Sequence, residues 1–225
     1  MIDVSNIRFN YRNNGFQLNI PELSIQPAEK VALIGPSGTG KTTLLNLLAG
    51  ILVPASGAIE IDGLDIAGLP TEDRQDFRAV KMGLIFQEFG LLEYLTVFEN
   101  ICLPYRISPV LELDAGVPER AFEIAETIGL GEKLHRYPKH LSQGERQRIE
   151  VCRAMITQPA MILGDEPTGN LDPGNRDHVA KMLFDYSARS GAPLLVVTHD
   201  YELVEQFDRR IDVQGFGVQG SEFRG

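Results

Sequence analysis

The chain has 225 residues, of which 43% are apolar and 23% charged, the balance of an ordinary globular protein. That balance excludes a disordered or collagen-like chain and provides enough apolar residues for a full hydrophobic core. The 31 acidic residues outnumber 21 basic ones, and with a formal net charge of −10 we expect no nucleic-acid partner. No apolar run reaches the ~18 residues of a membrane helix, and the first residues lack a signal-peptide pattern. We therefore expect a cytoplasmic protein whose membrane role, if any, comes through a partner.

The start of the chain predicts an antiparallel β region. Apolar and polar residues alternate over 7–11 and 16–20, and Asn13-Asn14-Gly15 between them is a hairpin signal. The apolar run 30–34 then predicts a buried strand of a parallel sheet. A helix is predicted after it, over 42–50, with Gly50 as its stop.

The rest of the chain alternates between short apolar runs and amphipathic segments. These predict strands at 83–86, 161–163 and 194–197 and helices near 71–80, 118–129, 143–157 and 175–190. Asp172-Pro173 supplies an N-cap and a proline at the first position of the last helix. The alternation predicts an α/β fold. We expect one domain over 1–225, with a core at about 1–87 and 158–225 and a helical subdomain at about 88–157.

A phosphate-loop pattern, G-x-x-x-x-G-K-[ST], follows the strand predicted at 30–34. Its residues are Gly35, Pro36, Ser37, Gly38, Thr39, Gly40, Lys41 and Thr42. Glycines let backbone N–H groups turn inward around phosphates, and the helix that follows points its positive end at them. Lys41 is expected to reach the β- and γ-phosphates, and the Thr42 hydroxyl to bind Mg²⁺. The alternative is a glycine-rich turn between a strand and a helix.

Two carboxylates, Asp165 and Glu166, end the apolar run that starts at Ala160. Carboxylates are costly to desolvate, so buried strands seldom end in such a pair without a reason. Beside a phosphate loop, Asp165 is expected to face the metal and Glu166 to polarise the attacking water as general base. The alternative is that both cap the loop 167–169.

The segment Leu141-Ser142-Gln143-Gly144-Glu145 opens a predicted helix. Ser142 and Glu145 have the spacing of a capping box. A capped helix start with a bare Gly144 amide is also an anion site. The sequence leaves both interpretations open.

The chain is identified as similar to an ATP-binding cassette (ABC) transporter ATPase subunit. The motifs at 35–42, 87, 141–145, 161–166 and 198–200 occur in the order and spacing of that family, and the resemblance extends over about 1–212. Segments 96–101 and 168–172 resemble the subgroup that serves lipoprotein release, macrolide export and cell division. The family's fold is a P-loop NTPase core with a mostly parallel sheet, an N-terminal antiparallel β subdomain and an inserted helical subdomain.

The resemblance implies a role for each motif residue. Tyr11 would stack on adenine, and ATP would also contact Thr43, Gln87, His199 and the phosphate loop. Catalysis would use Glu166, His199, Lys41 and Gln87. Ligands of Mg²⁺ would be Thr42, Gln87 and Asp165. The signature residues Leu141, Ser142, Gln143, Gly144 and Glu145 would contact ATP held by an opposite subunit, with Asp172 in the D-loop at the dimer interface. The implied cofactors are ATP and Mg²⁺.

The resemblance also implies partners. Two ATP-binding subunits, either a homodimer or a pair with a second chain, would pack head to tail. A transmembrane permease would dock near Gln87 and hold the protein at the inner face of the membrane. Phe86, Phe89, Leu91, Leu92, Tyr94 and Leu95 make this region apolar. They either meet the permease or pack the helical subdomain.

Three residues depart from the family pattern. Gln143 replaces a glycine, Gly164 an alanine, and Glu150 a small apolar residue; nothing in the sequence explains Glu150. The predicted function is an ATPase that powers export or extraction of lipoprotein or another hydrophobic or peptide substrate. The alternative is an ATP-driven switch for a non-transporting membrane protein of the cell-division type. A soluble ABC ATPase acting on DNA or ribosomes is disfavoured by the acidic charge.

Overall fold

The protein is built on two five-stranded sheets, one antiparallel and one parallel. The structure is a computed structural model and describes residues 1–11, 15–86, 90–169 and 171–219. Its strands are β1 (Ile2–Asn10), β2 (Gln17–Ile25), β3 (Lys30–Ile34), β4 (Ser56–Ile61), β5 (Leu64–Asp65), β6 (Met82–Ile85), β7 (Met161–Asp165), β8 (Leu194–Val197), β9 (Arg209–Asp212) and β10 (Gly217–Gln219).

Helices connect the strands of the parallel sheet and cover it. They are α1 (Lys41–Leu48), α2 (Thr71–Lys81), α3 (Val97–Ile101), α4 (Leu103–Ile107), α5 (Gly116–Thr127), α6 (Gln143–Met155), α7 (Pro173–Ser190) and α8 (Tyr201–Val204). The helices predicted near 71–80, 118–129, 143–157 and 175–190 are confirmed within two residues at each end. No helix among the described residues is both long enough and apolar enough to cross a membrane.

The antiparallel sheet has the order β10-β2-β1-β4-β5. Its central pair, β1 and β2, runs in register from Ile2 opposite Ile25 to Asn10 opposite Gln17. The alternation that predicted these strands is the cause, because every second side chain points to the core face. The antiparallel start is therefore confirmed, whereas Asn13 and Asn14 of the predicted turn lie outside the described residues.

The parallel sheet has the order β6-β7-β8-β3-β9. Leu33 near the end of β3 pairs with Val197 at the end of β8, which in turn pairs with Asp165 at the end of β7. The carboxyl ends of three strands therefore lie side by side. Ligands of open parallel sheets bind at this edge, and the loops that carry the predicted catalytic residues start here.

Two hydrophobic clusters lie on opposite faces of the parallel sheet. Leu163 and Leu195 point into the first, which the antiparallel sheet and α1 complete. Their neighbours Ile162 and Leu194 point into the second, which α3, α5, α6 and α7 complete. Because both faces are covered, these strands are apolar throughout rather than alternating. Helix α6 packs against β6 of the core, and the subdomain boundaries at 88 and 157 stay a prediction.

Candidate functional site

The phosphate loop lies between β3 and α1 in a conformation that requires its glycines. Gly35, Gly38 and Gly40 have φ angles of 137°, 78° and 94°, which favour glycine. A Cβ atom at Gly40 would lie 2.8 Å from Cζ of Phe16, which is buried beneath the loop. Lys41 folds back over the loop and donates to the carbonyls of Gly35 at 2.7 Å and of Pro36 at 2.8 Å. Its ammonium group is thereby held against the first two residues of the loop.

Thr42 and Asp165 join the start of α1 to the end of β7. The Thr42 hydroxyl donates to Asp165 Oδ2 at 2.7 Å. Asp165 is only 7% exposed, and burial raises the pKa of its carboxyl against the lowering effects of Thr42 and Lys41. A hydroxyl and a buried carboxylate in contact are the oxygen ligands that Mg²⁺ prefers. These two residues therefore fit the predicted metal site.

Glu166 and His199 face each other from the loops that follow β7 and β8. His199 Nε2 lies 3.5 Å from Glu166 Oε1, and Oε1 is buried without a hydrogen-bond partner in the part of the chain that the structure describes. Burial, together with the charge of Asp165, raises the pKa of Glu166 to about 7 against the lowering effects of the His199 backbone N–H and the charge of Lys41. A carboxyl with this pKa can accept a proton near neutral pH.

The backbone holds Glu166 in place from both sides. Its φ angle is 52°, and its N–H donates to the carbonyl of Val197 at 3.0 Å. Its side chain lines a cavity of about 320 Å³ together with Thr168, His199 and Asp200. A Cβ atom at Gly164 would lie 3.2 Å from Cγ of Pro167. Glycine at that position therefore lets the loop after Glu166 pack closely against β7.

The predicted signature segment opens α6 with a complete capping box. Ser142 Oγ accepts from the Glu145 N–H at 3.3 Å, and the Glu145 carboxylate accepts from the Ser142 N–H at 2.7 Å. Lys133 donates to the same carboxylate. Gln143 is exposed at the first position of α6, where a side chain meets no obstacle. The capping box is confirmed, and the anion site at Gly144 stays a prediction.

Side chains that the sequence did not single out tie the signature helix to the loops around Glu166. The Asp172 carboxylate caps α7 by accepting from the Asn175 N–H at 3.1 Å, as predicted. Arg148 of α6 donates to the Asn175 side chain. Arg176 of α7 donates to Asp200, the residue after His199, at 2.9 Å. No local pattern signals the contacts of Arg148 and Arg176, because they join residues that lie 27 and 24 positions apart in the chain.

Tyr11 lies at the end of β1, beside the first turn of α1. Its hydroxyl is 3.2 Å from the hydroxyl of Thr43. Its ring meets the edge of Phe9 at 4.8 Å between centroids and lies 5.8 Å from Phe16. This places an aromatic face next to the phosphate loop, and stacking on adenine stays a prediction.

Gln87 lies outside the described residues, and so does Phe89. The described part of the apolar segment around them divides into two groups. Leu91 is buried in the second cluster, whereas Phe86 and Tyr94 are 44% and 74% exposed. Leu91 therefore packs the helical subdomain, whereas contact of Phe86 and Tyr94 with a permease stays a prediction.

Phe86 forms part of a groove of about 310 Å³ between α2, β6, α4 and the end of α6. The groove is lined by Gln75, Arg78, Ala79, Met82, Leu84, Phe86, Leu103, Pro104, Ile107, Ser108, Arg153, Ala154 and Thr157. Its wall is mainly apolar, and Ile107 is 72% exposed. An exposed apolar groove of this kind is a candidate interaction surface, and contact with a permease there stays a prediction.

Comparison with known proteins agrees with this geometry. A family model described as ABC transporter matches residues 18–169. The chain belongs to the ABC transporter family. Its fold and motifs are those of the ATP-binding subunits, so it binds ATP and is an ATPase.

Named relatives of this ABC ATPase include lipoprotein-releasing system ATP-binding proteins called LolD. The one from Hydrogenovibrio crunogenus is 37% identical over 226 residues, 99% of this chain and 97% of the relative. The one from Bacteroides fragilis is 40% identical over 190 residues, covering 84% and 87%. An ABC transporter ATP-binding protein of Mycobacterium tuberculosis is 36% identical over 218 residues, covering 96% and 87%.

A solved structure shares the fold over nearly the whole chain. The ATP-binding cassette MJ0796, in a dimeric post-hydrolysis state bound to ADP and Pi, superposes with a TM-score of 0.85. It is 29% identical, and the match covers 94% of each chain. The resemblance drawn from the motifs and the predicted ABC ATPase fold are therefore confirmed.

Proposed function

We propose that this ABC ATPase is the nucleotide-binding subunit of a membrane complex that releases or exports lipoproteins or a similar hydrophobic or peptide substrate. The observation that carries the enzymatic part is the convergence of Lys41, Thr42, Asp165, Glu166 and His199 at one sheet edge. The substrate class is supported by the lipoprotein-releasing relatives, which match up to 99% of this chain.

Hydrolysis proceeds by in-line attack of water on the γ-phosphate of ATP. Glu166 takes the proton of the attacking water on Oε1, which has no hydrogen-bond partner among the described residues. Lys41 and His199 stabilise the charge that develops on the phosphate oxygens. Thr42, Asp165 and Gln87 would hold Mg²⁺, which neutralises phosphate charge when bound. The Arg176–Asp200 contact keeps the His199 loop against α7 during the reaction.

ATP binding brings two subunits together head to tail. Each subunit then presents Ser142 and Gly144 at the capped start of α6 to the γ-phosphate held by the other, so that ATP lies between them. The MJ0796 cassette with 94% coverage is described as a dimer, which supports this assembly. Loss of the γ-phosphate loosens the contact, and the cycle of closing and opening drives the membrane partner.

The membrane partner docks in the groove beside Phe86. Its apolar wall includes Leu103, Pro104 and Ile107. Arg78 adds a positive charge, whereas the charge of Arg153 is paired with Glu150. A short amphipathic segment of a permease that carries a carboxylate fits this combination. The groove residue Phe86 directly precedes Gln87 in the chain, and this covalent link would carry the effect of partner binding toward the nucleotide.

Affinity purification from membranes tests the proposed function. Tagged Glu166→Gln protein is incubated with ATP and detergent-solubilised membranes of the source cells, and retained proteins are identified by mass spectrometry. The Lys41→Ala variant serves as the control that does not hold ATP. We expect an ATP-dependent membrane protein with a large extracytoplasmic domain. Recovery of ribosomes or only soluble proteins would overturn the transport assignment, and a membrane partner that moves no lipoprotein in reconstituted vesicles would indicate the switch function.

A further inference from the structure

Glu150 is a buried carboxylate on α6 that the catalytic scheme does not use. Its side chain is 1% exposed, and its Oε1 accepts from Arg153 at 3.2 Å and from the N–H of Gly90. Arg153 also donates to the carbonyl of Gly90 at 2.6 Å. One ion pair on one helix therefore holds both backbone polar groups of a residue 60 positions earlier in the chain.

The clamp fits closely around Gly90. A Cβ atom there would lie 3.2 Å from Nη2 of Arg153 and 3.8 Å from Oε1 of Glu150. A larger residue would therefore force the guanidinium to move. Glycine lets the backbone itself reach the ion pair.

A second contact also joins the segment 90–96 to α6. Glu93 accepts from Arg146, the residue directly after the signature segment, at 3.1 Å. The buried side chain of Asn100 on α3 also holds the segment, because it accepts from the N–H of Leu92 at 2.8 Å and donates to the Leu92 carbonyl at 3.0 Å. These contacts make the segment and the signature helix one unit.

Stability alone does not account for the Glu150–Arg153 pair. Burial raises the pKa of Glu150 to about 7 even beside Arg153, so its charge is poorly compensated. Its Oε2 is buried without a partner among the residues described. Replacing such a buried pair by apolar residues is often neutral or stabilising. The pair instead fixes the position of the segment 90–96 relative to α6.

Helix α6 connects this clamp to two functional surfaces. Its first residues follow Ser142, and its last turns carry Arg153, which lines the apolar groove. We propose that Glu150 is a positioning residue that, with Arg153, fixes the segment 90–96 to α6 and so sets the orientation in which Ser142 and Gly144 meet the nucleotide of a second subunit. The inference rests on the proposed dimer.

Dimerisation tests this role separately from ATP binding. Glu150→Gln is added to Glu166→Gln protein, and the mass is measured by light scattering over a range of protein concentrations at saturating ATP. We expect half-dimerisation at a concentration about tenfold higher than for Glu166→Gln alone. Binding of a fluorescent ATP analogue to the monomer is expected to change less than about twofold, since the phosphate loop is untouched.

The double variant Glu150→Ala/Arg153→Met separates positioning from stability. It removes both charges, so its thermal stability is expected to equal that of the wild type. Its dimerisation is expected to stay as weak as that of Glu150→Gln. Asp185→Asn, which breaks the exposed Lys181–Asp185 pair on α7, is the matched control and is expected to leave dimerisation unchanged. Unaltered dimerisation of Glu150→Gln, or recovery of dimerisation together with stability in the double variant, would refute the inference. Monomeric Glu166→Gln protein at saturating ATP would refute the proposed dimer itself.

Discussion

At the scale of single residues, Glu166 carries the chemistry because its surroundings tune it. Its carboxyl is buried next to Asp165, and its pKa of about 7 lies where a general base works best. Its neighbour Asp165, which accepts from the Thr42 hydroxyl, would hold the metal, while Glu166 exchanges protons. The two acids are adjacent in the chain, and their different contacts give them different roles.

The Glu166→Gln substitution tests the general base. Glutamine keeps the size and shape of the side chain but cannot accept the proton, so kcat is expected to fall about 10²- to 10⁴-fold. ATP binding, measured with a fluorescent analogue, is expected to persist. A variant that hydrolyses ATP at the wild-type rate would show that another group is the base.

The same carboxyl predicts how the wild-type rate depends on pH. The base must be ionised, so kcat/KM is expected to rise with pH through about 7 and to fall tenfold per pH unit well below it. Steady-state ATPase assays from pH 5.5 to 8.5 at saturating magnesium check this. A flat profile across that range would contradict the assignment of the titrating group.

Glu150 predicts a pH-dependent difference in stability. Its pKa of about 7 in the folded state exceeds the value of 4.5 for a free carboxyl, so the folded protein binds more protons between these pH values. Stability therefore falls as pH rises from 4.5 to 7, by a contribution on the order of 3 kcal/mol. Glu150→Gln lacks this contribution. Urea unfolding should therefore show that the unfolding free energy of the variant, relative to that of the wild type, increases as pH rises. Parallel curves at pH 5 and pH 8 would contradict the pKa direction.

At the scale of elements, the helix starts decide where anions can bind. Helices α3 and α6 both begin with a capping box, from Thr96 and Glu99 in the first and Ser142 and Glu145 in the second. The two caps are alike in local geometry. Only the second belongs to the signature segment. Comparing the two caps therefore distinguishes the effect of helix capping from an effect on ATP turnover.

Replacing the two cap residues in parallel tests this distinction. Thr96→Ala and Ser142→Ala are each expected to cost about 1 kcal/mol of unfolding free energy, because each leaves an N–H without its acceptor. Only Ser142→Ala is expected to lower ATP turnover beyond that loss. Chemical denaturation and ATPase assays on both proteins provide the measurement, and equal loss of activity in the two variants would mean that Ser142 is only a cap.

At the scale of the whole molecule, the apolar groove and the sheet edge lie on parts of the fold that α6 connects. Ile107 is 72% exposed at the groove wall and has no role in either core. Ile107→Asp is expected to reduce co-purification of the membrane partner about tenfold, because a charge is placed in an apolar contact. ATPase activity of the isolated subunit is expected to stay unchanged.

Phe122→Asp is the matched control for the groove. Phe122 is 51% exposed on α5 and does not line the groove. Partner recovery is therefore expected to equal that of the wild type. If Ile107→Asp retains the partner fully, or if both substitutions remove it equally, the groove is not the docking site.

Some strands escaped prediction because their residues lack a pattern of their own. In β9, three of four residues are exposed, and β5 has two residues, both exposed. Each is a strand because a neighbour pairs with it: β9 adds to the edge of β3, and β5 to β4. Edge strands need no apolar face, so hydrophobic periodicity does not reveal them.

The sequence by itself determined the parts whose cause is local. The alternation in β1 and β2, the glycines of the phosphate loop, the Ser142 capping box and the Asp172 N-cap depend on residues within about one turn or one hairpin of each other. The motifs in order also sufficed to place the chain in its family. These features depend on residues a few positions apart, and a single sequence shows such spacings.

Only the tertiary structure decided the rest. The pairing of Leu33, Val197 and Asp165 brings the strand ends together, and that order of strands follows from packing over the whole chain. The contact of Glu150 with Gly90 spans 60 positions, and that of Arg176 with Asp200 spans 24. Burial and charge partners set the pKa values of both buried glutamates. These quantities depend on distances in space, which the spacing of residues along the chain does not contain.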